Sequence, residues 1–135
     1  MKLLLDINVL LDLVLERNPW AGSAARLLTR VERGEVEGHV PGHTLTTIHY
    51  VVSRAKDRHA AAAAVTDLLR FLEVVPIEKV DFSQALVLPM DDFEGAVQAA
   101  AALKIGADYI VTRDEKGFGG LSIPSVNSGE ILSLL

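Results

Sequence analysis

Short apolar runs of four or five residues alternate with longer segments whose apolar residues recur every three to four positions, and this alternation constrains the fold most. Lys2–Leu5 is the first such run, suited to a buried parallel strand, and it ends at Asp6. Asn8 to Glu16 follows with helical spacing and stops near Asn18-Pro19, since proline disfavours helix in the residue before it. Trp20 to Arg33 reads as a second helix stopped by Gly34, and Glu37 to Val40 as a short strand. After a Pro41-Gly42 turn, Thr44 to Arg54 reads as a helix, and Asp57 caps another that runs to Leu72. Glu73 to Ile77 is a strand, Asp81 to Leu88 a short helix ended by Pro89, and Asp92 to Lys104 a long Ala-rich helix stopped by Gly106. Tyr109 to Thr112 is the clearest strand, Arg113 to Gly120 a glycine-rich loop, Leu121 to Pro124 a last strand and Ser128 to Leu135 a terminal helix. Strands alternating with helices predict a three-layer α/β/α sandwich around a central, mainly parallel sheet, in one domain spanning residues 1–135.

Composition narrows the chemistry. With no cysteine, disulfides, thiolate zinc sites and cysteine nucleophiles are excluded. Asp6, Asn8 and Asp12 interrupt the apolar N-terminus, so no signal peptide or membrane span is read, and a soluble, cytoplasmic protein is expected. The net charge of -5 is unevenly placed. Residues 1–70 hold nine bases against eight acids, whereas residues 71–135 hold four against ten. Carboxylates clustered in the second half fit either a solvated face or a cation site.

In an open parallel sheet, ligands collect beyond the carboxyl ends of the strands. Asp6 follows the first strand, and Asp114 lies two residues past Thr112 at the end of the clearest one. On neighbouring strands, both carboxylates and the Thr112 hydroxyl converge on one rim, an oxygen set suited to Mg2+ or Mn2+. The competing roles are a helix N-cap for Asp6 and a solvated turn for Asp114. No Walker-type phosphate loop, dinucleotide glycine motif or nucleophile elbow is present. His39, His43, His49 and His59 form no zinc-protease pattern.

Three segments together resemble a PIN domain: Leu3-Leu-Leu-Asp6-Ile-Asn8-Val-Leu-Leu-Asp12, Asp92-Phe-Glu-Gly-Ala96 and Ala107-Asp-Tyr-Ile-Val-Thr112-Arg-Asp114. Leu45-Thr-Thr-Ile-His-Tyr50 is similar to the middle helix of the VapC-like toxin subgroup. The resemblance implies a ribonuclease that uses Mg2+ or Mn2+, often a toxin silenced by a small antitoxin, usually a homodimer. It makes Asp6 and Asp114 the metal-holding, catalytic carboxylates, with Asn8 and Thr112 as supporting polar groups.

The pattern is incomplete. Where the family usually has a Glu on the middle helix stands His49; an Asp opening the Ala-rich helix is replaced by Gly95, and an Asp before Phe118 by Gly117. Imidazole suits Mg2+ poorly, although it can ligate Mn2+. Asp91, Asp92 and Glu94 stand beside the position of Gly95, where interaction with the helix dipole is a sufficient alternative to metal binding. Two functions remain open from the resemblance: an RNA-hydrolysing nuclease with an altered site, and a catalytically degenerate PIN fold that binds RNA or protein. A small-molecule or protein-interaction domain is a third class, with the Ala60 helix and Trp20 as surface candidates. Arg17, Arg26, Arg30, Arg33, Arg54 and Arg58 are the candidate phosphate contacts.

Overall fold

The computed structural model describes all 135 residues as five strands and seven helices. Strand β1 (Lys2–Leu5) lies at the centre of one sheet, between β2 (Glu37–Pro41) and β4 (Tyr109–Val111); β3 (Glu73–Val75) and β5 (Ser125–Val126) form the edges. The order is β3-β2-β1-β4-β5, and every pair is parallel. Leu4 pairs with His39 on one side and Ile110 on the other.

Alternation along β1 assigns the layers, because successive side chains point to opposite faces. Leu3 and Leu5 pack with residues of α1 (Ile7–Val14), α2 (Ala21–Glu32), α3 (Gly42–Ala55), α4 (Arg58–Phe71) and α7 (Ser128–Leu134). Leu4 packs on the opposite face with Ile110 and with Ala99, Ala101 and Ala102 of α6 (Phe93–Ile105). Helix α5 (Lys79–Ala85) completes that layer, packing Ala85 against Ala96, Val97 and Ala100. The expected three-layer α/β/α arrangement is the one observed.

Gly38 of β2 shows why the larger layer closes. A Cβ there would lie 2.8 Å from Leu72 Cδ2 and 3.0 Å from Val31 Cγ1, so the glycine lets two helices press onto the strand.

Several element boundaries differ from those the sequence predicts. The last strand is Ser125–Val126, not Leu121–Pro124, since pairing with β4 starts where Ile110 N–H donates to Pro124 O at 3.0 Å. Pro41 and Gly42 make no separate turn: Pro41 closes β2 and Gly42 opens α3. The short helix is Lys79–Ala85 instead of Asp81–Leu88, because a reciprocal cap between Glu78 and Asp81 starts it earlier. Strand β3 stops at Val75, one residue before Pro76, and β4 stops at Val111, leaving Thr112 just outside it.

Candidate active site at the carboxyl rim

Because β1 and β4 are paired in parallel, the residues that follow them, Asp6 and Thr112, emerge side by side, 106 positions apart in sequence. Asp6 is 4 % exposed. As the N-cap residue of α1 its side chain makes no capping bond. Its Oδ2 instead accepts a hydrogen bond from Thr112 Oγ1 at 2.8 Å. Thr112 Oγ1 in turn accepts the Asp114 backbone N–H at 2.9 Å, so one buried hydroxyl bonds to both candidate residues.

Burial pushes the Asp6 carboxyl above its ordinary value. Hydrogen bonds from Thr112, Gln98 and the Ile7 amide oppose that shift, and the nearby Asp114 charge adds to it. Gln98 is the site residue that pattern reading missed. It is 1 % exposed on α6, and its Oε1 accepts the Ile7 N–H at 2.9 Å, bracing the turn that begins at Asp6. A lone amide inside Ala96-Val-Gln-Ala-Ala100 was the available signal, since a buried polar side chain requires a partner.

Asp114 is exposed and also serves its own loop, accepting Gly117 N–H on Oδ1 at 3.1 Å. A Cβ on Gly117 would collide with the Asp114 carboxylate. The space left by a missing side chain at 117 is therefore taken by Asp114 itself. Asp114, Gly117 and Gly95 line an open cleft of about 330 Å3 with Asp91, Asp92 and Phe118.

The remaining candidates have other partners. Asp92 caps α6 by accepting Gly95 N–H at 3.0 Å, a direct bond at the helix N-terminus where the sequence suggested only a dipole interaction. Glu94 faces His43, with Oε1 3.2 Å from Nε2. His49 is half-buried on α3 and enters neither the cleft nor an ion pair. Asn8 is half-buried in the first turn of α1. Among the arginines, Arg26, Arg30 and Arg33 line one groove with Thr29 and Leu132, whereas Arg54 lies over Tyr50 and Arg17 approaches Asp12.

No three His, Asp or Glu side chains come together in a group able to hold a metal ion. Mg2+ characteristically needs only one or two carboxylates when water and substrate phosphates complete its shell. The rim offers two carboxylates, Asp6 and Asp114, a number compatible with one hard divalent ion and too small for two.

A family model described as the PIN domain matches residues 2–116. No curated protein matches the chain in sequence. Among solved structures it is similar to VapBC2 from Rickettsia felis bound to a promoter DNA fragment (TM-score 0.72, 16 % identity, covering 94 % of this chain and 98 % of that one). It is also similar to VapC20 of Mycobacterium tuberculosis, a toxin that cleaves the sarcin-ricin loop (TM-score 0.71, 19 % identity, 90 % and 98 % covered). VapBC-1 from nontypeable Haemophilus influenzae aligns with a TM-score of 0.70 at 14 % identity, covering 96 % and 99 %. These structures share the fold, and the family model reaches from β1 past Asp114: the chain belongs to the PIN domain family.

Proposed function

We propose that this chain works as a single PIN domain that hydrolyses RNA phosphodiesters at the carboxyl rim, with Asp6 and Asp114 holding one Mg2+ or Mn2+. The observation that carries this reading is that one buried Thr112 hydroxyl bonds both the Asp6 carboxylate and the Asp114 backbone N–H at the ends of adjacent strands, which brings the two residues to one rim. When bound, such an ion supplies charge to the phosphate and acidifies a water. Thr112 orients Asp6, Gln98 steadies the backbone beneath it, and Asp114 brings the second negative charge from the loop. Asn8 is the supporting polar group from α1.

The structural relatives, which include a toxin and two VapBC assemblies, support a toxin role with an antitoxin partner. A homodimer and a cytoplasmic location belong to the same reading through the family resemblance alone. We place the antitoxin in the groove of about 790 Å3 bounded by Leu13, Val14, Val52, Ala63, Leu68 and Phe71. Such an apolar trough takes the apolar face of an amphipathic helix. No helix of the chain is long and apolar enough to cross a membrane.

The second reading, a degenerate PIN fold that binds RNA or protein without cutting, is favoured by Gly95, Gly117 and the missing third carboxylate. Calorimetric titration with Mn2+ and Mg2+, followed by incubation with RNA, separates the two. The nuclease reading expects binding and cleavage by the wild type, and loss of both in Asp6→Asn and Asp114→Asn. Ion binding without cleavage would select the degenerate fold. Equal cleavage by wild type and Asp114→Asn would refute the assigned site.

A further inference from the structure

Trp20 is the single tryptophan of the chain, and it is not in the core. Its side chain is 41 % exposed, and the Arg113 guanidinium lies over the ring, 3.8 Å from the centroid. Arg113 is itself fixed, donating from Nε to Asp12 Oδ2 at 2.7 Å and from Nη2 to Oδ1 at 3.1 Å. Asp12 is 1 % exposed, so the stack is anchored on a buried carboxylate and the indole is held in place before any ligand arrives.

Trp20 and Arg113 line an open cleft of about 270 Å3 with Ser23, Asn127, Ser128 and Gly129, and Trp20 is its one apolar wall. A single aromatic plate among hydroxyl, amide and backbone groups suits a flat ligand with a π face and hydrogen-bonding edges. An apolar peptide side chain would find one wall only. A phosphate would meet a guanidinium already neutralised by Asp12. A nucleobase satisfies both requirements, because base–aromatic stacking tolerates any base and the polar rim serves the base edge. Arg113 also lies between Thr112 and Asp114 in the chain, which puts this plate and the acidic rim on one short turn.

We propose that the Trp20–Arg113 plate stacks an unpaired nucleobase of the RNA whose phosphodiester is presented to Asp6 and Asp114. This inference rests on the RNA reading above and adds to it the residues that would hold a base beside the acidic rim.

The lone tryptophan provides its own reporter. The full-length protein is titrated with a single-stranded oligoribonucleotide of about six nucleotides, and separately with a duplex of equal length, in EDTA to prevent cleavage. Indole fluorescence is followed together with anisotropy of a labelled RNA. The single strand is expected to quench Trp20 saturably and the duplex to leave it largely unchanged. Trp20→Ala should bind the single strand about tenfold more weakly, whereas Trp20→Phe, which keeps a stacking face, should stay within about twofold of wild type. Thermal melts of both variants check that they fold, and the wild-type quench stands even if Trp20→Ala does not. Single-stranded RNA that binds without quenching, or that binds folded Trp20→Ala as tightly as wild type, would overturn the plate while leaving the RNA reading intact. Equal quenching by duplex would overturn the preference for an unpaired base. If no RNA binds the wild type either in EDTA or in a parallel titration with Ca2+ in place of the EDTA, the RNA reading itself fails and the plate with it.

Discussion

Thr112 Oγ1 donates to Asp6 Oδ2 at 2.8 Å and accepts the Asp114 N–H at 2.9 Å, so one hydroxyl with no solvent exposure ties the Asp6 carboxylate to the backbone of Asp114, just beyond the ends of adjacent strands. Thr112→Val keeps the shape but breaks both bonds. Ion affinity and cleavage are expected to fall by about ten- to a hundredfold, because groups that orient a metal ligand carry effects of that size. Thr112→Ser, which keeps the hydroxyl, should recover most of the loss in the same calorimetric and cleavage assays.

Asp6 should make the empty protein less stable at neutral pH. A carboxyl whose folded value is raised adds stability at low pH and loses it as pH rises through that value. Asp6→Asn, measured without divalent ions, is expected to melt above wild type at pH 7. The difference should shrink as the pH falls and Asp6 takes up its proton. A wild type that melts above the variant at pH 7 would contradict the burial argument.

Asp81 acts in the opposite direction. It is buried at the start of α5, where its Oδ2 accepts the Glu78 N–H at 2.7 Å and a hydrogen bond from Lys104 Nζ at 2.9 Å. The Glu78 amide, then Lys104, hold its carboxyl below the usual value. Its stabilising contribution is present above the unfolded carboxylate value and is lost as pH falls through the lower folded one. Asp81→Asn should therefore lower the melting temperature at pH 7 and flatten its decline in acid, as read by melts across the acid limb.

Removing Arg113 leaves the buried Asp12 carboxylate with only Arg17, 4.0 Å away. Arg113→Ala is expected to cost about 2–4 kcal/mol in denaturant unfolding, since an uncompensated buried charge is worth more than the pair it came from. The Asp12→Leu, Arg113→Met double variant should cost less than Arg113→Ala alone, because no charge is stranded.

Gly95→Asp tests the vacant acidic position. A Cβ there meets Asp92 Oδ2 at 3.1 Å and Met90 Cε at 3.2 Å, both ends of movable side chains, so the fold should accept it with small shifts. A carboxylate added to the cleft that already holds Asp114 is expected to raise Mn2+ affinity about tenfold. Unchanged affinity would place the ion elsewhere.

How much of this was legible beforehand depended on how local each feature is. The β1 run, the Ala-rich α6 and the αL glycine at its end, Gly106, are short-range patterns and read correctly. The edge strand was displaced to Ser125–Val126 because its pairing is chosen by β4, not by its own apolar residues. Asp6 and Asp114 could be placed on a rim from topology alone. The lone Gln98 signalled that it needs a partner but not that the partner is Ile7; that bond, the Arg113 bonds to Asp12 and the His43–Glu94 contact each join residues far apart in sequence that only packing brings together.

The position of β1 between β2 and β4 also orders events during synthesis. Asp6 and its partner Thr112 lie 106 positions apart, with six helices and three strands between them. A nascent chain that has not yet reached β4 thus holds one half of the rim and no second half. Whatever chemistry the rim performs waits for β4 and the turn that follows it to be made.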